Sequence, residues 1–439
     1  MIRAGFCANE ITPALGSIIP GDFGARYNVR VQEKLYVRAA VFELDDADTQ
    51  KVAAIVSIDA CGVYYSLTRR VRERVAQYVP IDPDAIMICA THCHGGGPTL
   101  NWGEEVVCNE TYLTFLAERA ADAVICAYND RKEACLNWGE EVLEGFSFIR
   151  IWRMKDGSLK TNPGKGNPNI VEPASPIDRS VGVIAVCVDG KPVGAVVNFA
   201  CHPAIVATDV TSSDYIYHLA RGLQEQYGPD FVTVFINGAC GNINHFNPRD
   251  PETYKNGRHI LLGRALAEKC VSAIEKASPM GEAIAWQEAK LCARLRKPTP
   301  ERLAEAYALF QSYGDELINS KPGTKNYIET FFALQAMHAA KDKRTRVVLP
   351  MQVLRIGDVQ IFGSPCQIFV EFGMRIKAGA RTAHAMVSAF ANDYGGYVPM
   401  PEMMIPGVYE ARLATSSQLA PEAGDELVAC FERMAEKVK

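Results

Sequence analysis

Two of the eight histidines lie two residues apart, in an arrangement suited to holding a metal ion. They are His92 and His94, within residues 91–98 of sequence THCHGGGP. An apolar run over residues 85–90 predicts a strand that ends just before them, and alternate side chains of extended backbone project to the same side. Imidazoles are common zinc ligands, and the glycines that follow let the backbone approach a bound group closely. The pair therefore predicts a metal or catalytic site in a loop at a strand end.

Further polar segments also follow predicted strands, and loops at strand ends are where α/β sheets place active sites. Residues 198–203, NFACHP, hold His202 at a His-Pro step, which favours extended backbone at the histidine. Residues 236–245, INGACGNINH, combine small residues with three carboxamides, among them Asn244. Residues 391–397, ANDYGGY, are followed by Tyr409 and Glu410. Each segment is a candidate wall of a polar site.

A fifth segment offers a carboxylate. Residues 363–365, GSP, precede a helix that the apolar pattern predicts over residues 367–380. Helical spacing places Glu371 on the same side as Gln367 and Val370, so we expect an inward carboxylate.

The elements that must position these residues alternate between strand and helix. Apolar β-branched runs predict strands at 52–58 and 85–90, and helical periods predict helices at 67–79 and 110–127, which is an α/β pattern. The dipeptide Asp189-Gly190 between two apolar runs predicts a hairpin, so antiparallel pairs are also expected. The predicted fold class is α/β, with mixed parallel and antiparallel sheets flanked by helices and the zinc site in loops at strand ends.

The domain organisation follows from what interrupts this alternation. Amphipathic stretches at 300–318 and 325–341 predict a helical hairpin, with a turn at 320–323. Because no repeat or linker is visible, we predict one domain over residues 1–439, with the hairpin inserted at about 300–341.

The composition of the chain indicates which classes of partner to expect. The 46 basic and 51 acidic residues give a charge of −5, so no basic surplus indicates nucleic acid or an anionic membrane as a partner. The longest apolar runs are shorter than the roughly 18 to 20 residues of a membrane span, and no secretory signal is visible. The fourteen cysteines show no CxxC pair, which is typical of reduced thiols. We expect a cytoplasmic protein that acts on a small molecule. The oligomeric state is not indicated.

Together the five segments resemble the neutral/alkaline, non-lysosomal ceramidase family, in its catalytic domain. The resemblance runs from residues 8–13, ANEITP, to Tyr409-Glu410. In that family corresponding motifs hold zinc, which implies a Zn²⁺ site. The implied ligands are His92, His202, Glu371 and Tyr397.

The resemblance also implies roles for other residues. His94 matches the family's catalytic histidine, Tyr409 its active-site phenol, and Arg150, in the FIR of residues 148–150, its substrate-contact arginine. Two departures stand out. Asn244 occupies the place of a serine that takes part in amide hydrolysis, and the family's C-terminal immunoglobulin-like domain is not expected here. Ceramide is therefore not the expected substrate.

The leading hypothesis is a zinc-dependent amidase-type hydrolase of a small polar amide or ester, of which a sugar derivative is one example. Zinc-bound water has a pKa near 7, so water can be activated without a serine. His94 and Tyr409 would then move protons, while Arg150 and Asn244 orient the substrate.

Other hypotheses stay open at this point. A zinc-dependent lyase or isomerase would use the same residues, and a non-catalytic protein could retain zinc only to bind a ligand. Thiol catalysis by Cys93 or Cys240 is a further alternative, although alternation points Cys93 away from the two histidines. A metallo-β-lactamase pattern is disfavoured because Gly96 and Gly97 occupy its Asp and His places.

Overall fold

The structure, a computed structural model, describes residues 1–46, 49–102, 106–313 and 327–439. Within these ranges strands and helices alternate as the sequence predicts, and the mixed α/β class is confirmed. The α-helices are α1 (Tyr65–Tyr78), α2 (Glu110–Asn129), α3 (Tyr215–Tyr227), α4 (Arg258–Glu275), α5 (Pro300–Tyr313), α6 (Tyr327–Lys341), α7 (Val370–Ala378) and α8 (Ala423–Ala435).

The first sheet is built around long buried strands near the N-terminus. Its strands, in spatial order, are Ile86–Ala90, Thr49–Ile58, Tyr36–Asp46, Ile2–Glu10 and Lys132–Glu133. Only the first pair is parallel. Helices α1 and α2 supply apolar residues to the same core, which explains the buried stripe at helical spacing on each.

The second sheet contains the predicted hairpin. Its strands, in spatial order, are Val232–Asn237, Lys191–Phe199, Ser180–Val188, Cys135–Val142 and Ser278–Pro279. The hairpin turn has positive φ at both Asp189 and Gly190, the backbone that a tight two-residue turn requires, so this prediction is confirmed. Helices α3 and α4 pack against each other and share a core with this sheet.

The third sheet lies in the C-terminal part of the chain. Its strands, in spatial order, are Ile284–Arg294, Arg346–Ile356, Val359–Gly363 and His384–Ser388. Helices α7 and α8 share its apolar core, and α5 packs against α6. The predicted turn at 320–323 between α5 and α6 lies outside the described residues.

Several short strands complete the architecture. The two-stranded pairs are Phe148–Ile149 with Ile243–Asn244, Cys366–Ile368 with Gly396–Val398, Val210–Thr211 with Arg30–Val31, and Ile18–Ile19 with Arg26–Tyr27. A small three-stranded sheet contains Leu159–Thr161, Ile151–Met154 and Ile170–Pro173.

The three large sheets meet at the carboxyl ends of their parallel strands. The amide of Ala90, at the end of the first sheet, donates to the carbonyl of Phe390 at 2.9 Å. The amide of Ala389, after the third sheet, donates to the carbonyl of Asn237 at 3.0 Å. The loops that follow the three sheets therefore converge on one region.

One predicted helix begins later than the sequence pattern indicates. Instead of a helix from residue 367, the chain forms the strand Cys366–Ile368, and α7 begins at Val370. The strand pairs in parallel with Gly396–Val398, and this tertiary pairing overrides the local helical period. Of the helices that the structure describes, none has both the length and the apolar composition to cross a bilayer.

Candidate metal centre and active site

Three imidazoles converge at the junction of the sheets, in what we call the histidine cluster: His92, His94 and His202. The Nε2 atom of His202 lies 3.1 Å from Nε2 of His92 and 3.2 Å from Nε2 of His94. His92 and His94 follow the strand Ile86–Ala90, and His202 follows Lys191–Phe199. The structure therefore brings together histidines that the sequence separates by more than a hundred positions.

The backbone at His92 differs from the extended form that the sequence pattern favours. His92 has φ of 69°, in the left-handed region, which few residues other than glycine adopt. Its amide donates to the carbonyl of Ala60 at 2.9 Å, and its ring stacks on Phe390 at 4.0 Å between centroids. The rings of His92 and His94 still meet, at 5.0 Å, but a turn brings them together rather than strand alternation.

The tautomer of His92 is determined by a backbone contact. Its Nδ1 atom lies 2.5 Å from the carbonyl oxygen of Cys61, which can only accept, so Nδ1 carries the hydrogen. The lone pair of Nε2 then points towards His202. Donation from the outer ring nitrogen to a carbonyl is the usual way in which metal-binding histidines are oriented.

A buried arginine holds the backbone around His94. Arg26 donates to the carbonyl of His94 at 2.9 Å and to that of Thr208 at 2.8 Å. The amide of His94 donates to the carbonyl of Pro203, beside His202. Arg26 had no motif to mark it in the sequence, because its role depends on contacts far along the chain.

Burial keeps the histidine cluster uncharged. It lowers the pKa of His92 to about 3, with a further lowering by the charge of Arg150, and it lowers the pKa values of His94 and His202 well below the ordinary value. At neutral pH the rings are neutral, so each ring can offer the lone pair of one nitrogen rather than a charge.

Arg150 connects this cluster to two tyrosines. Its guanidinium forms a fully buried ion pair with Glu410 and donates to the carbonyl of Gly241 at 2.6 Å. It lies 5.3 Å from the ring centre of Tyr397 and 5.9 Å from that of Tyr409. The ring centres of the two tyrosines are 5.8 Å apart, and burial raises the pKa of each above its ordinary value. Both phenols therefore remain protonated at neutral pH.

Glu371 does not join this group. Its carboxylate accepts hydrogen bonds from the hydroxyl of Ser175 and, at 3.0 Å, from the amide of Asn242. Because α7 begins three residues later than expected, Glu371 lies in its first turn and faces these partners. The inward carboxylate inferred from a helix starting at residue 367 is not what the structure contains.

Gln367 lies next to one of the predicted zinc ligands. In the parallel pair it is directly opposite Tyr397, and it is fully buried. Its Nε2 donates to the hydroxyl of Tyr394 at 2.5 Å, whereas its Oε1 has no hydrogen-bond partner. A buried amide oxygen without a donor is costly, so this atom is suited to a group that the chain itself does not supply.

Asn244 lies on the strand that faces the segment leading to Arg150. It pairs with Phe148, and its amide donates to the side chain of Asn162 at 3.1 Å. The side chain is buried, so Asn244 contributes to the wall around Arg150.

The nearby thiols are poorly suited to catalysis. Cys61 was not singled out in the sequence, yet its Sγ lies 3.8 Å from Nδ1 of His92. Burial raises the pKa values of Cys61 and Cys240 to about 12, and that of Cys93 well above its ordinary value. Thiol nucleophiles need a lowered pKa, so the thiol alternative finds no support in these environments.

The histidine cluster fits a zinc ion. Zinc–nitrogen bonds of about 2.0 to 2.1 Å place ligand atoms of a tetrahedral site about 3.3 Å apart. The observed 3.1 and 3.2 Å separations are close to this value. Ligand atoms of Cys61, His92 and His94 also lie within 4.8 Å of one another. Neutral imidazoles at these separations need either a hydrogen bond between their Nε2 atoms or a cation between them.

Comparisons with known proteins agree with this architecture. No model of a protein family matches the chain. Neutral ceramidase from Pseudomonas aeruginosa is 22% identical over 435 residues, covering 85% of this chain and 63% of that protein. The crystal structure of that ceramidase superposes with a TM-score of 0.76 at 17% identity, over 99% of this chain and 74% of the other. A ceramidase complexed with C2 gives a TM-score of 0.75, also at 17% identity and with the same coverage.

The fold and the converging histidines define an α/β protein with a candidate metal centre at the junction of three sheets. The chain is a homologue of neutral ceramidase and shares its fold, which confirms the resemblance predicted from the motifs. It spans 63% of the length of that curated relative.

Proposed function

We propose that this protein is a zinc-dependent hydrolase that cleaves an amide bond, or a related ester bond, of a small polar substrate. The observation that carries the proposal is the convergence of three neutral imidazoles. Nε2 of His202 lies 3.1 Å from that of His92, the other proposed ligand, and 3.2 Å from that of His94, the proposed proton-transfer group. Homology to an enzyme named neutral ceramidase supports amide hydrolysis as the reaction class.

The residues suited to hold the ion are His92, His202 and Tyr397. Gln367, directly opposite Tyr397, offers its unpartnered amide oxygen in place of the carboxylate of Glu371. A zinc ion at this position supplies a Lewis acid that polarises a carbonyl and acidifies water. The carbonyl of Cys61 keeps the lone pair of His92 directed inward.

The remaining polar groups would bind the substrate and move protons. His94, neutral because burial lowers its pKa, accepts a proton at its ring and returns it to the leaving nitrogen. Tyr409 remains protonated and donates a hydrogen bond to the developing oxyanion. Arg150, held in place by Glu410, adds a fixed positive charge beside both phenols.

The surroundings of Tyr409 favour a small substrate. The rings of Phe23 and Phe332 pack against it, with centroids 5.8 and 5.9 Å away. These rings occupy the space beside the phenol, which leaves less room there for a long acyl chain. Together with Asn244 at the place of the family serine, this supports a substrate other than ceramide.

We also propose that the chain forms a single catalytic domain with α5 and α6 as an insertion, and that it works in the cytoplasm. The fourteen cysteines are free thiols, as is typical of a reducing compartment.

The test is a screen of small amides and esters with zinc-loaded and zinc-free protein, with detergent-solubilised ceramide in parallel. We expect zinc-dependent release of an amine and a carboxylic acid from a small polar amide, and negligible turnover of ceramide. Product analysis separates hydrolysis from elimination or isomerisation, because only hydrolysis incorporates oxygen from labelled water. Turnover that is unchanged after zinc removal, or ceramide as the preferred substrate, would refute the proposal.

Variants then separate metal binding from proton transfer. His92→Ala should lose the zinc ion of the histidine cluster together with activity. His94→Ala should keep that ion and lose about 10²- to 10⁴-fold in rate, the usual contribution of a general acid or base. Tyr409→Phe should behave like His94→Ala. If His94→Ala loses zinc as fully as His92→Ala, then His94 is a ligand, and the proton-transfer role passes to Tyr409.

A further inference from the structure

A second group of metal-binding side chains lies apart from the histidine cluster. It consists of Glu33, His218 and His259, which we call the Glu33 cluster. One ligand atom from each lies within 4.8 Å of the others. Oε1 of Glu33 lies 3.3 Å from Nε2 of His259 and 3.5 Å from Nε2 of His218. These separations are close to the roughly 3.3 Å edge of a tetrahedral zinc site.

The packing of two helices creates this arrangement. His218 lies in the first turn of α3, and His259 is the second residue of α4. Gly263, one turn beyond His259, lets the helices approach, because a Cβ at this position would lie 2.5 Å from Cβ of His218. The centroids of the two imidazoles are 5.2 Å apart as a result.

The hydrogen bonding of the Glu33 cluster is incomplete. Glu33 is buried, with a side chain only 7% exposed, yet its Oε2 atom has no hydrogen-bond partner. Nε2 of His218 is likewise buried without a well-formed hydrogen bond. A buried carboxylate oxygen left unpaired is unfavourable, and a cation would satisfy it.

The charge state of Glu33 suits a cation. Burial raises the pKa of Glu33, but its close contacts with His218 and His259 outweigh this effect and hold the pKa below its ordinary value. A second buried carboxylate, Asp214, interacts electrostatically with His259. Two carboxylates and two imidazoles would balance the charge of a divalent ion.

We propose that Glu33, His218 and His259 bind a second divalent metal ion, with zinc as the expected occupant. The fourth position is open to water, or to the amide oxygen of Gln32. The side-chain amide of Gln32 lies 3.2 Å from Nε2 of His259, and a half-turn of the amide would bring its oxygen there.

The role of this second site is structural: it would stabilise the segments that contact the loop of His94. The amide of Glu33 donates to the carbonyl of Thr211, and the amide of the next residue, Ser212, donates to the carbonyl of Gly95 at 3.1 Å. Gly95 follows His94 directly. A metal ion at the Glu33 cluster would therefore anchor α3, α4 and the segment that contacts the loop of His94. The proposal is independent of the proposed hydrolysis, because it shares no ligand with the histidine cluster.

The experiment measures zinc content after exhaustive dialysis against a weak chelator. Wild type should hold two equivalents, and the His92→Ala/His202→Ala double variant should retain one. Adding Glu33→Gln, which preserves shape but removes the charge, should remove that remaining equivalent. His384→Ala changes a histidine outside both clusters and should leave zinc content at the wild-type level.

Cobalt substitution supplies a second measurement that does not depend on activity. Cobalt added to the His92→Ala/His202→Ala variant should give the visible absorption of a tetrahedral ion with nitrogen and oxygen ligands, and His218→Ala should abolish it. Circular dichroism establishes that each variant is folded. A folded double variant without zinc, or an unchanged zinc content on introducing Glu33→Gln into it, would overturn the second site. An empty histidine cluster beside a filled Glu33 cluster would instead refute the proposed function alone.

Discussion

At the level of single residues, the side chains of Gln367 and Glu371 differ in what they are free to bind. The carboxylate of Glu371 is occupied by Ser175 and Asn242, whereas Oε1 of Gln367 is buried without a partner. We therefore predict that Gln367→Ala lowers zinc occupancy at the histidine cluster and that Glu371→Gln leaves it unchanged. Metal analysis should be done in a Glu33→Gln background, so that only one site is counted. Gln367→Glu is the matched control and should retain the ion. Loss of zinc in Glu371→Gln alone would restore Glu371 as the ligand.

The sequence indicates some of these residues better than others. His92, His94 and His202 stand out because histidine is rare in this chain and each follows an apolar strand. Gln367 does not, because a strand of three residues has no measurable period and glutamine is a common surface residue. Its role depends on the pairing with Gly396–Val398, about thirty residues away, which local spacing cannot reveal.

At the level of elements, helix α6 and the segment around Phe23 cover the tyrosine side of the site. The ring of Phe23 packs on Phe331 at 5.1 Å, on Tyr409 at 5.8 Å and on Phe332 at 6.0 Å between centroids. Arg412 holds the helix by a two-pronged ion pair with Glu329, at 2.9 and 2.8 Å. On the proposed function, elements outside the metal centre would therefore limit the size of the substrate.

Removing one of the phenylalanine rings that pack around Tyr409 should change substrate preference. In a series of amides that share one amine, Phe23→Ala should increase kcat/KM for those with longer acyl chains relative to the one with an acetyl group. Each methylene that enters the vacated space is worth about 0.8 kcal/mol, or about fourfold. Phe115→Ala on α2, an exposed phenylalanine away from Tyr409, is the control and should leave the preference unchanged. Equal preferences in Phe23→Ala and wild type would show that these rings do not limit the substrate.

At the level of the whole molecule, the α/β class could be predicted but the meeting of the sheets could not. Alternating strand and helix periods, and the Asp189-Gly190 turn, are local signals. The junction instead depends on pairings such as that between Ala90 and Phe390, three hundred residues apart. The side chain of Asn198 makes another long-range link between sheets, because it donates to the carbonyls of Ile236 and Val387, both at 2.9 Å. Sequence alone therefore indicates the loops of the site but not how they face one another.

Because loops from all three sheets meet at the histidine cluster, a metal ion bound there should stabilise the whole fold. An ion that binds only the native state at a hundred times its Kd adds about 2.7 kcal/mol to the free energy of unfolding. The unfolding entropy is about 2.1 cal/mol/K per residue. For a chain of 439 residues that unfolds as one unit, this added free energy therefore raises Tm by about 3 °C. We predict a zinc-dependent rise of this size by calorimetry in the Glu33→Gln background. The rise should vanish when His92→Ala and His202→Ala are added. A rise that survives these two changes would place the stabilising ion elsewhere, and no rise in the Glu33→Gln protein would mean that the three loops hold no ion.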